Sequence, residues 1–145
     1  MRVLIDTNIL ISYLLSTEPH NTIPALVNHC LTSPEIKIVT PNELLQELHT
    51  TCRKKEYLRE KITPEELETF LDKLVASSLV SDSRSEPIPY SRDPKDDYLI
   101  YAALVHHVDF LVTGDDDLLA IRAIRSLRIV SPVEFARTLR KHRNR

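Results

Sequence analysis

The chain has 145 residues, 42% of them apolar and 28% charged, the balance of one soluble globular domain long enough to bury a single real core. Its apolar runs fall far short of the roughly 20 residues that span a bilayer, no secretory signal is visible, and its one glycine, Gly114, excludes a glycine-rich P-loop or dinucleotide cradle. The net charge of −2 hides an asymmetry: residues 118–145 hold eight Lys and Arg against one acid, Glu134, a net of +7, which leaves −9 on residues 1–117.

Residues 2–5 form a short β-branched run, read as a buried strand with Asp6 at its carboxyl end. A helix apolar nearly all round follows over 8–15, and Pro24 opens a second over 24–31. Residues 36–40 read as a strand. Thr40-Pro41-Asn42-Glu43 has the form of a capping box and predicts a helix over 41–53. Thr63-Pro64-Glu65-Glu66 repeats the signal, with Leu67, Phe70, Leu71, Leu74 and Val75 at helical spacing. Residues 79–81 read as a short strand and 83–92 as a loop. Asp93-Pro94 opens a helix that runs to His106, and 110–113 is a buried strand ending at Gly114. A short helix over 118–124, a strand over 128–130 and a last helix capped by Ser131-Pro132-Val133-Glu134 close the chain. Strands and helices alternating at this spacing predict an α/β fold, with a mostly parallel sheet covered on both faces in three α/β/α layers.

In such sheets the functional crevice lies outside the carboxyl ends of the strands, so acids placed there carry weight. Asp6 suits an N-cap, as do Asp93 and Asp115. Three consecutive acids at 115–117, and Asp93, Asp96 and Asp97 within five positions, exceed what capping needs. Glu43 and Glu47 stand one helical turn apart; Glu43 has the capping position, and Glu47 has no such employment. Carboxylates gathered on one sheet edge repel one another unless a cation neutralises them, and oxygen-only ligation selects Mg²⁺ or Mn²⁺ over zinc. Cys30 and Cys52 form no CxxC and the six histidines no HExxH, so a zinc site from local ligands is not expected and a reducing, cytoplasmic compartment is.

In this order and spacing several segments resemble the PIN-domain family, and more closely its branch of toxin components from bacterial toxin-antitoxin systems. They are Val3-Leu4-Ile5-Asp6-Thr7-Asn8-Ile9-Leu10, residues 41–48 with Glu47, Arg92-Asp93-Pro94-Lys95-Asp96-Asp97, Leu111-Val112-Thr113-Gly114-Asp115, and Ile129-Val130-Ser131-Pro132-Val133-Glu134-Phe135. The resemblance implies a single domain over 1–136 with a basic end at 137–145. It implies a metal-dependent ribonuclease with Asp6, Glu47, Asp96 and Asp115 as the acidic quartet, Asp96 being preferred to Asp97 for its spacing to Ala103. Asp6, Asp96, Asp115 and, as an auxiliary, Asp117 would hold Mg²⁺ or Mn²⁺, while Asn8 and Thr113 orient ligands. A separate antitoxin and a homodimer, with contacts drawn from residues 41–78, are implied as partners.

Arg122, Arg125, Arg137, Arg140 and Lys141, with Arg143 and Arg145, are candidates for contacts to an RNA backbone that do not read sequence. Five Tyr, three Phe and no Trp leave little for stacking on bases. Two other readings use the same acids. One is a catalytically inactive PIN-like module that binds RNA or protein. The other is a phosphoaspartyl protein, against which stands Asn8, where a dehalogenase-like phosphatase needs a second Asp.

Overall fold

The computed structural model describes residues 1–81 and 97–143. Strand β1 (Arg2–Ile5) leads into helices α1 (Thr7–Leu15) and α2 (Thr22–Thr32), then β2 (Lys37–Pro41). Helices α3 (Asn42–Lys54), α4 (Glu56–Lys61) and α5 (Pro64–Ser77) connect to β3 (Ser78–Ser81). The chain continues through α6 (Asp97–Val105), β4 (Phe110–Val112), α7 (Asp116–Ile121), β5 (Ala123–Ile124), β6 (Leu127–Val130) and α8 (Pro132–Arg143). The strands pair in the order β3-β2-β1-β4-β6-β5, parallel except for β5, and helices complete a three-layer α/β/α arrangement.

The central strands are buried because both faces of the sheet are covered, which is why their sequences are continuous apolar runs rather than alternations. Val3, Leu4 and Ile5 lie opposite Phe110, Leu111 and Val112, and the core extends from them through Leu44, Leu48, Leu99, Ile100 and Phe135. Cys30 and Cys52 are buried free thiols that pack as small apolar groups. No helix among the described residues is long and apolar enough to cross a membrane.

Several local expectations need correction. Helix α2 starts at Thr22 with Asn21 as its cap, so Pro24 is its third residue, still within the first turn where an amide hydrogen has no intrahelical acceptor. The box expected at Thr40 does not form: Pro41 is the cap residue of α3, and the Thr40 hydroxyl donates to Ser78 Oγ at 2.9 Å, tying β2 to β3. Strand pairing claimed the residue that the helix signal had claimed. Helix α4 was not expected. Helix α7 ends at Ile121 because Arg122 takes a positive φ of 65°, and Ala123–Ile124 pair antiparallel with β6 instead of extending the helix. The loop at 83–92 and the Asp93-Pro94 helix start lie outside the described residues. The boxes at Thr63 and Ser131 form: Thr63 Oγ1 accepts from the Glu66 amide, while Ser131 and Glu134 cap each other reciprocally.

Candidate active site

Starting from β1, the chain crosses to β2 and β3 on one side, whereas β4 and β6 lie on the other. The order therefore reverses between β1 and β4, the point outside the carboxyl ends of the strands where open parallel sheets place their functional crevice. Asp6 follows β1 and Thr113-Gly114-Asp115 follows β4, so two segments 107 residues apart in sequence meet there. The Asp6 amide donates to the Val112 carbonyl at 2.9 Å, carrying the ladder one step beyond the strand and fixing Asp6 at the rim.

Asp6 is only 6% exposed, yet its carboxylate is well supplied with donors. Oδ1 accepts from the Thr7 amide at 2.7 Å and Oδ2 from the Thr113 hydroxyl at 2.7 Å. The fully buried Thr113 hydroxyl in turn accepts from the Asp115 amide at 3.0 Å. Thr113 thus joins the two strand-end acids with one oxygen. Asp115 caps α7, its Oδ1 accepting from the Asp117 amide at 2.8 Å. Asp6 serves both as cap of α1 and as a member of this chain of bonds, so capping and site geometry are not alternatives for it.

Glu47 enters from α3, where it is exposed, and Tyr98 enters from the first turn of α6. The Tyr98 hydroxyl donates to Glu47 Oε2 at 2.5 Å, in the range of strong charge-assisted bonds. Burial raises the proton affinity of Asp6, and the facing charges of Glu47 and Asp115 raise it further, against the opposing hydrogen bonds from Thr113 and Thr7. Burial, followed by the bond to Glu47 and the charges of Glu47 and Asp6, pushes the Tyr98 phenol up, so it remains a donor. The buried hydroxyl of Thr7 has no hydrogen-bond partner among the described residues.

Asp6, Thr113, Asp115, Asp117 and Glu47 are thus brought to one edge. Asn8 is exposed in the first turn of α1, and Asp96 lies outside the described residues. Among the described residues no three acid, imidazole or thiol groups stand close enough to enclose a metal ion. The donors at the edge nevertheless fit a hard divalent cation: they are all oxygens, and their charges repel one another at Asp6.

The basic candidates are dispersed. Arg125 lies in the turn between β5 and β6, and Lys141 lines a groove of about 820 Å³ with Met1, Ile36, Asp109 and Arg128, at the amino ends of the strands. Both are on the edge opposite Asp6. Arg122, at the end of α7, and Arg137 and Arg140, along α8, are exposed. Sequence reasoning missed Tyr98; its one signal is its position directly after the Asp96-Asp97 pair.

A family model described as PIN domain matches residues 2–117. No curated protein sequence matches the chain. Among solved structures, the crystal structure of FitAcB from Neisseria gonorrhoeae aligns over 90% of this chain and 98% of that one, with a TM-score of 0.57 and 15% identity, a likeness of fold. PIN domains are generally nucleases and typically use divalent metal ions.

Proposed function

The chain belongs to the PIN-domain family, and from that premise we propose that it is a metal-dependent endoribonuclease acting on single-stranded RNA, the toxin of a toxin-antitoxin pair. One observation carries the reading: the Thr113 hydroxyl binds Asp6 and orders the Asp115 amide at the β1/β4 reversal, with Glu47 near enough for its charge to act on Asp6. Asp6, Glu47, Asp96 and Asp115 are the residues that would hold one or two Mg²⁺ or Mn²⁺ ions, with Asp117 beside them. An ion so held would supply Lewis acidity toward a phosphodiester and would lower the pKa of a water so that it becomes nucleophilic near neutral pH. With no histidine assigned to the site, proton removal would fall to the metal or to a carboxylate of the set. Asn8 and Thr113 orient their neighbours.

The supporting physical case is that Asp6 is a buried acid facing other acids, an arrangement that costs stability unless it serves a cation. Arg122, Arg125, Arg137, Arg140 and Lys141 contact the RNA backbone in this reading. A homodimer through the 41–78 region would cover Tyr57 and Val75, large apolar side chains left exposed on α4 and α5. A small separate antitoxin would be encoded beside this chain.

The decisive assay compares wild type with Asp6→Asn on single-stranded RNA with Mn²⁺. Cleavage by wild type alone is expected. Equal cleavage by both, or none by either at high enzyme, overturns the ribonuclease reading in favour of a binding module.

A further inference from the structure

Glu47 and Asp6 face each other as like charges, and Glu47 is an exposed glutamate whose long side chain gains rotamer freedom and hydration by swinging away. Repulsion and entropy therefore both act to empty the position that the acid needs for cation binding. The Tyr98 phenol opposes them. Its ring is half-buried and packs against the hydrophobic core, which fixes the hydroxyl from behind, and only two side-chain torsions need be held. Its donor reaches Glu47 Oε2 at 2.5 Å from an element 51 residues distant in sequence. The rigid partner thus sets the position of the flexible one. The Thr7 hydroxyl also lies beside the phenol, so Tyr98 stands between α1 and α3 close to Asp6.

We propose that Tyr98 is a positioning residue for Glu47, holding that carboxylate toward Asp6 where it would serve a divalent cation. This rests on the metal-dependent reading above. Groups that orient metal-binding side chains are worth about ten- to a hundredfold in metal affinity or activity.

Tyr98→Phe removes the hydroxyl and keeps the packed ring, so an unchanged circular dichroism spectrum is expected. In the full-length, metal-free protein, the side-chain carboxyl ¹³C resonance of Glu47, assigned by its disappearance in Glu47→Ala, should move toward that of a solvent-exposed glutamate. Mn²⁺ affinity measured by titration calorimetry should fall about ten- to a hundredfold. In a Glu47→Ala background, adding Tyr98→Phe should cost nothing further, because a residue acting through Glu47 has nothing left to position. A Glu47 resonance that stays in place, or an undiminished loss from Tyr98→Phe in the Glu47→Ala background, overturns the proposal. If wild type takes up no Mn²⁺, the metal-dependent reading fails, while the Glu47 resonance still decides the role of Tyr98.

Discussion

Thr113 carries more of the site than its size suggests, because one hydroxyl serves as donor to Asp6 and acceptor for the Asp115 amide. Thr113→Val keeps the shape and strands both partners, and leaving such groups unsatisfied costs about 1–3 kcal/mol. Urea denaturation should show a loss of that size, with the proton affinity of Asp6 raised further. Burial in the fold raises the proton affinity of Asp6. The folded state therefore binds the proton more tightly than the unfolded chain does. The stability this contributes is fully present below the ordinary aspartate pKa of about 3.9 and is lost as pH rises through the higher folded value. Asp6→Asn should accordingly melt higher than wild type at pH 7 and lose that advantage near pH 3.5, while abolishing activity. A variant that melts lower at neutral pH would show that ionised Asp6 is net stabilising. Burial pushes the Cys30 thiol up to about 12 and raises that of Cys52. Neither should react with Ellman's reagent in the native protein, and both should react in urea.

Among the elements, the two capping boxes that form are those at Thr63 and Ser131. Thr63 and Ser131 both bond forward into their own helices. Ser131→Ala should lower stability by about 0.5–2 kcal/mol, read as a shift of the urea midpoint with no change in slope. Thr40 displays a similar signal and fails because β3 offers its hydroxyl an acceptor, an outcome that depends on a strand 38 residues away. The early end of α7 was equally illegible. Arg122 turns through a positive φ that no glycine or asparagine announces, and the reversed pairing of β5 with β6 holds it there, the Ile129 amide donating to the Arg122 carbonyl at 2.8 Å. By contrast β1, β4 and α5 were readable because their apolar spacing is a property of contiguous residues.

Across the whole molecule, Asp6 and Lys141 are separated by the direction of the chain. Helix α8 starts after the carboxyl end of β6 and runs back, so Lys141 lies about 14 Å along the helix axis from Pro132, at 1.5 Å per residue. Lys141→Glu should leave the turnover of a short oligonucleotide unaltered and weaken only longer RNA, in proportion to the fall in the salt dependence of binding. Loss of activity on the short substrate would show that the basic end reaches the crevice. Binding of Mn²⁺ should raise the melting temperature of wild type, by an amount corresponding to about 2.7 kcal/mol at a hundred times its dissociation constant, and leave Asp6→Asn unmoved.

The sequence alone determined the class of fold and placed Asp6, Thr113 and Asp115 at strand ends, since periodicity, caps and breakers act over a few neighbouring residues. Strand order, a matter of which distant segments pair, was settled only in three dimensions. That order set Asp6 beside Thr113, drew Thr40 away from its helix, delivered the Tyr98 phenol to Glu47, and carried Lys141 to the edge remote from the acids. Each of these outcomes depends on groups whose separation along the chain exceeds any local pattern, and the burial that surrounds the Asp6–Thr113 bond exists only once the layers have closed.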